Sequence, residues 1–169
     1  MAPGSQITLP AGGVREFLVV QGSVEVDGEL LGLRDFLLLP AGFASHLKSD
    51  SGAQVFVREV DAGEPERHLV RDAEAGWPEF APGIRRRVLW TAGGQASLLY
   101  QTDPGASVPV HTHGHDEECL MVAGELFLDD LLLQQGDYQL APAGTGHRIT
   151  ETDTGVILYA HGDLDLQFT

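Results

Sequence analysis

VQGSVEVD, residues 20–27, lies over VAGELFLD, residues 122–129, and DFLLLPAG, residues 35–42, lies over DYQLAPAG, residues 137–144. Both pairs use the same shift of 102 residues with no gap. Val20, Gly22, Asp27, Asp35, Leu38, Pro40, Ala41 and Gly42 meet identical residues. Self-similarity at a fixed offset is the mark of a structural unit built twice. Each copy reads as a pair of strands, a turn, and a further strand ending in Pro-Ala-Gly.

The flanking sequence agrees. REFLVV, SVEV, DFLLL and AQVFVRE are short alternating or β-rich runs, and so are RRVLW, ASLLY, CLMV, ELFL, GVILYA and DLQF. Gly, Asp or Pro punctuates nearly every gap. No stretch of a dozen residues carries a 3.6-residue apolar period. Evenly spaced short strands predict an all-β sandwich or barrel. The expected organisation is two all-β units, residues 1–61 and 85–169, joined by an irregular segment at 62–84. Trp77 and Phe80 are expected to plug the interface there.

Composition bounds the function. The chain has 169 residues, 43% of them hydrophobic and 21% charged, which excludes a mainly disordered protein. A single cysteine, Cys119, excludes an intramolecular disulfide and any Cys-rich zinc module, and fits a reducing, cytoplasmic setting. No apolar run approaches the ~20 residues of a membrane span. MAPGSQITLP lacks the basic region and apolar stretch of a secretory signal. The net charge of −15 is uneven: residues 1–87 carry 9 basic and 13 acidic side chains, residues 88–169 only Arg148 against 12 acidic ones. Nucleic acid and anionic membranes are therefore not expected partners.

The chemistry concentrates in ASVPVHTHGHDEE (106–118) and PAGTGH (142–147). His111 and His113 are spaced i, i+2, which in a strand puts both imidazoles on one face. Glu117 follows a glycine turn, and His147 arrives from a distant strand. Three imidazoles and one carboxylate suit a borderline divalent metal such as zinc, iron, manganese, nickel or copper. Four such ligands leave one or two positions open for water, dioxygen or a substrate. His115 is an alternative ligand next to a strand-breaking glycine, and Glu118 points away from Glu117. Cys119 and Met121 share the face of Glu117, which leaves two readings of the thiol: a small buried hydrophobe or a redox-responsive group.

This spacing resembles both signatures of the cupin superfamily. Gly105, His111, His113, Glu117 and Gly124 meet the first; Gly136, Pro142, Gly144 and His147 meet the second, with Glu151 where an Asn is usual. Nine matched positions at about 5% each put a chance match on the order of 10⁻¹² per placement. The resemblance implies a jelly-roll β-barrel with one metal in its mouth, held by His111, His113, Glu117 and His147. Shifting those ligands back by 102 gives Leu9, Ala11, Arg15 and Ser45, which is no ligand set. The first unit then resembles a degenerate cupin packed on the second, making a bicupin with one working site.

A closer likeness covers residues 76–168, from WPEFAPGI to GDLDL. This stretch resembles the ChrR-type cupin of zinc-binding anti-sigma factors, which takes part in sensing oxidative stress. No His-x-x-x-Cys-x-x-Cys site or helical bundle precedes the cupin here, so a metal-bound sensory or ligand-binding cupin is what carries over. The alternative is a metal-dependent dioxygenase acting on a small organic molecule, with Tyr100, Tyr138 and Glu151 as candidate cavity residues. Expected partners are a small-molecule ligand or reactive oxygen species; a homodimer stays open.

Overall fold

The computed structural model describes residues 1–60, 63–165 and 167–168. The chain divides into two compact units, Met1–Gly76 and Trp77–Thr169. The boundary expected at 61/62 lies outside the described residues.

The first unit contains β1 (Ser5–Leu9), β2 (Val14–Gly22), β3 (Val24–Val26), β4 (Glu29–Leu31), β5 (Phe36–Leu39), β6 (Ser45–Ser49), β7 (Ala53–Val60) and β8 (His68–Val70), followed by the four-residue α1 (Asp72–Ala75). Two four-stranded antiparallel sheets form, in the orders β1-β6-β3-β4 and β7-β2-β5-β8. The part of the expected connector at 68–75 thus belongs to this unit, because His68–Val70 pairs with β5.

The second unit contains β9 (Glu79–Ala81), β10 (Ile84–Ala92), β11 (Gln95–Thr102), β12 (His111–Thr112), β13 (Glu117–Leu128), β14 (Leu131–Gln134), β15 (Tyr138–Ala141), β16 (Gly146–His147), β17 (Thr150–Glu151), β18 (Val156–Asp163) and β19 (Gln167–Phe168). The large sheet runs β14-β13-β18-β11-β10-β9, with β15 and β17 also paired to β13; a small sheet runs β16-β12-β19. The all-β expectation is met. Of the expected DLQF run, Leu166 lies outside the described residues. Among the described residues no helix is long and apolar enough to cross a membrane.

The two cores follow one rule. In the second unit one core cluster takes Cys119 and Met121, then Leu126 and Leu128, from β13, with Leu133, Val156, Leu158 and Ala160 from neighbouring strands. The change from odd to even positions comes from a register shift between Met121 and Ala123. An extra residue there flips the strand's faces. In the first unit Phe17 and Val19 give way to Val24 and Val26, across a register shift between Val19 and Gln21. Each fully buried Leu, Val or Phe contributes about 1.5–3 kcal/mol.

Half of the repeated identities are turn-makers. Gly22 and Gly124 have φ of 74° and 79°, and an added Cβ would lie 2.1 Å from Gly52 O and 2.2 Å from Gly155 O. Only glycine fits such a position. Asp27 Oδ1 accepts from His46 N at 2.9 Å, and Asp129 Oδ1 accepts from Arg148 N at 2.9 Å. Asp35 Oδ2 accepts from Gly32 N at 2.9 Å, and Asp137 Oδ2 accepts from Gln134 N at 2.8 Å. Gly42 and Gly144 close the Pro-Ala-Gly turns with φ of 91° and 80°.

Candidate metal centre

Three short elements bring the histidines together. His111 on β12 pairs in register with His147 on β16. Gly146 makes this approach feasible, since a Cβ there would sit 2.2 Å from His111 O. His113 follows β12 and is held by the facing turn: its N–H donates to Thr145 O at 2.9 Å and its carbonyl accepts from Gly144 N at 2.8 Å. Glu117 opens β13, opposite Ala141.

Ligand atoms of His113, Glu117 and His147 lie within 4.8 Å of one another. His113 Nε2 is 3.5 Å and His147 Nε2 is 3.8 Å from Glu117 Oε2. His111, expected as a fourth ligand, stands beside this cluster without joining it. Its ring centroid is 5.1 Å from that of His113 and 5.6 Å from that of His147. Its Nδ1 bonds Pro109 O at 2.9 Å, which fixes the tautomer and leaves Nε2 free for a ligand role.

Both ring nitrogens of His113 and Nε2 of His147 are buried without a hydrogen-bond partner. Leaving such atoms unpaired costs about 1–3 kcal/mol each. His113 is only 2% exposed, so bulk solvent does not reach it. Burial, with His111 and His147 nearby, lowers the His113 pKa to about 4, and burial also lowers that of His111. These imidazoles are neutral donors at pH 7, the form a metal needs. Burial pushes Glu117 up to about 7, with Asp163 adding to the rise. A cation among these atoms would answer both the orphaned nitrogens and the buried carboxylate. The residues present therefore fit a divalent ion.

Asp129 is a participant that sequence reasoning missed. Its Oδ2 lies 3.4 Å from His147 Nδ1, so it can orient the ring and direct Nε2 toward Glu117. Asp129 was legible as a repeated turn residue, but its second task depends on the fold bringing His147 to it. Gly146 likewise shows its purpose only once β12 and β16 are side by side.

The other singled-out residues are placed as follows. His115 is turned to Asp163, which its Nδ1 contacts, and is not brought into the cluster. Tyr138 is half exposed and donates to Glu118 at 2.6 Å. Glu151 is exposed on β17. Tyr100 lines a cavity next to the cluster, and burial raises its pKa to about 12, so it stays a neutral phenol. Cys119 is buried on the same wall, where desolvation and the adjacent Glu117 carboxylate push its thiol well above the ordinary value. That environment disfavours the reactive thiolate. Within the second unit, Phe80 lines the cavity and lies under the Arg86 guanidinium, and Trp77 lies under that of Arg87, each at 4.2 Å.

A family model described as the ChrR Cupin-like domain matches residues 65–165. The chain belongs to this family. Its jelly-roll cupin fold is shared with solved structures of low sequence identity. A candidate dioxygenase from Nostoc punctiforme is 15% identical, with a TM-score of 0.76 over 97% of this chain and 67% of that one. A single-substitution variant of the Bacillus subtilis oxalate decarboxylase is 16% identical, with a TM-score of 0.71 over 100% and 68%. Another structure of that decarboxylase is described for its Mn(II) centres. A Cupin 2 conserved barrel domain protein from Leptotrichia buccalis is 16% identical, with a TM-score of 0.66 over 96% and 80%. No curated protein matches the chain.

Proposed function

We propose that this protein is a metal-binding cupin with a sensory or regulatory role in the response to oxidative stress. In this reading one divalent ion is held by His113, Glu117 and His147, with His111 as fourth ligand. The observation that carries it is His113, buried with neither ring nitrogen partnered and 3.5 Å from a buried carboxylate. When bound, a divalent ion supplies Lewis acidity at an open coordination position. The chain's own residues do the rest. Asp129 orients His147, Pro109 O fixes the tautomer of His111, and the apolar cavity wall limits bulk water. The regulatory part is supported by membership of the ChrR cupin-like family.

A second reading is a dioxygenase acting on a small organic molecule. It is favoured by the cavity that opens directly on His111, Glu117 and His147. The same proposal includes a bicupin organisation, supported by the two compact units and by turn hydrogen bonds that recur at the offset of the repeat. It also includes a cytoplasmic protein that binds a small molecule or reactive oxygen species, without nucleic-acid or membrane partners, and with self-association as a homodimer left to experiment.

Elemental analysis of protein purified without added metal or chelator tests the proposal. About one equivalent of zinc supports the sensory reading. About one equivalent of iron, manganese, nickel or copper supports the dioxygenase. His113→Ala and His147→Ala should both lower the metal content. A variant that stays fully loaded would overturn the ligand assignment.

A further inference from the structure

His111, Glu117 and His147 form one end of a cavity of about 70 Å³ inside the second unit. That is on the order of five water-sized volumes. The rest of the wall is largely apolar and includes Phe80, Ile84, Val108, Leu126, Leu128 and Leu158. No lysine or arginine is among the described lining residues. Arg86 is not in the lining; it stacks on Phe80, donates to Leu164 O at 2.7 Å and hydrogen-bonds Tyr100 of the wall.

Two of the wall's threonine hydroxyls are committed. Thr102 Oγ1 accepts from Val156 N at 3.0 Å. Thr152 Oγ1 donates to Glu125 O at 2.7 Å and accepts from Gly155 N at 3.0 Å. Thr150 differs: its hydroxyl is buried and has no hydrogen-bond partner. An oxygen on a ligand would satisfy it.

Charge sets the ionisation state of that ligand. Glu117 is part of the metal cluster, and Asp129 lies 3.4 Å from His147. These two carboxylates balance the two charges of a divalent ion. A dianion would then bring uncompensated charge against an apolar wall, and burying unpaired charge is strongly unfavourable.

We infer that this cavity takes a small neutral molecule with an apolar body of about five heavy atoms, whose carbonyl oxygen accepts from the Thr150 hydroxyl, and that it rejects small dicarboxylates such as oxalate. The charge argument rests on the metal reading above; the apolar wall and Thr150 do not. The inference separates this chain from the oxalate decarboxylase whose fold it shares.

The test titrates 2-butanone and, separately, oxalate into methyl-labelled protein followed by NMR. It is run on chelator-treated protein and on protein given one equivalent of zinc, with bound zinc measured separately. Saturable shifts of the Leu126, Leu128 and Leu158 methyls by millimolar 2-butanone in both forms are expected, with oxalate leaving them unmoved. Thr150→Val should weaken 2-butanone binding about tenfold at unchanged zinc content, the loss of one hydrogen bond. Leu128→Phe should abolish the shifts by filling the space, and the ligand-free methyl spectrum shows whether each variant is folded. Stronger binding of oxalate, absence of 2-butanone shifts, or undiminished binding by Thr150→Val would each overturn the inference. Failure to bind zinc with 2-butanone still seated would overturn the metal reading and support this one.

Discussion

Where the second unit carries Glu117, the first carries Arg15, 102 residues earlier and in the same ladder register. Arg15 pairs with Leu39 and Glu117 with Ala141. Where the second unit carries His147, the first carries Ser45. The Arg15 guanidinium is held by acceptors of the first unit itself. It bonds Glu59 Oε2 at 2.8 Å, Phe43 O and Ser45 Oγ at 3.3 Å, and Pro10 O. Glu59 sits opposite Arg15; in the second unit His161 sits opposite Glu118, which brings Gly162 alongside Glu117. A Cβ on Gly162 would touch Glu117 at 3.4 Å. One unit thus carries its buried cation on the chain, with a carboxylate across the ladder. The other gathers His113, Glu117 and His147, with their ligand atoms within 4.8 Å of one another. The frame and the site vary independently: the turn residues are shared and the ligand positions are not.

The largest expected effect breaks the shared frame. Gly22→Ala and Gly124→Ala each force a Cβ into a backbone carbonyl at a positive φ. Each should cost about 3 kcal/mol or more, from left-handed strain plus overlap. Urea unfolding measures this, and the Gly124 variant should also lose metal. Equal stability of variant and parent would show that the two close approaches are not shared constraints.

A second effect separates the units by their response to pH. In metal-free protein, folded Glu117 titrates near 7 against an ordinary 4.5, and folded His113 near 4 against 6.5. Folded Glu117 keeps a proton that the unfolded chain releases. Its stabilising contribution is full below pH 4.5 and lost as pH rises to 7. His113 runs the other way: its contribution is full above pH 6.5 and lost as pH falls to 4. The two nearly cancel between 4.5 and 6.5. Glu117→Gln should unmask the histidine, with stability rising by about 3 kcal/mol from pH 4 to 6.5. His113→Gln should unmask the carboxylate, with a fall of similar size from pH 4.5 to 7, partly offset by His111, whose pKa is also lowered. Chelator-treated samples followed by urea titration provide the check, and flat profiles for both variants would remove the case for a buried, coupled pair.

The frame was legible because its residues recur in type and spacing. Gly22, Asp27, Asp35 and Gly42 return 102 residues later, although Gly22 meets Gly52 and Asp27 meets His46 from far along the chain, while Asp35 acts within its own turn. His111, His113, Glu117 and His147 were legible as donors by residue type and spacing. Other features depend on strands meeting from far apart in the chain. Gly146 matters only because β12 crosses it, Asp129 only because His147 reaches it, and Thr150 only because its surroundings leave it unpartnered. Alternation also failed on β2, where six consecutive residues, Val14 to Val19, are buried, including Arg15 and Glu16. A strand covered on both faces has no period to read.

Arg15→Met tests the first unit's substitute cation. It keeps the apolar stem but leaves the Pro10 and Phe43 carbonyls and Ser45 Oγ without this donor. A loss of about 2 kcal/mol is expected, within the range for orphaned buried groups. Metal content should not change. Lower metal content in this variant would mean that the two units do not act independently.

The finest distinction lies in one repeated aspartate. Asp27 and Asp129 have φ of 48° and 52° and accept the same type of backbone N–H bond. Asp27 also contacts the ring of His46 at 3.1 Å, whose side chain is 69% exposed. Asp129 contacts the ring of His147, which belongs to the buried cluster. Asparagine keeps the carbonyl acceptor and tolerates the left-handed turn, so Asp27→Asn and Asp129→Asn should change folding stability by similar, small amounts. Metal affinity should respond only to Asp129→Asn, falling about 10–100-fold through loss of the charged partner that orients a ligand imidazole. Competition with a chelator of known affinity reads that difference. An equal fall for Asp27→Asn would show that the carboxylate acts through the turn; no fall for Asp129→Asn would show that His147 is positioned by its strand alone.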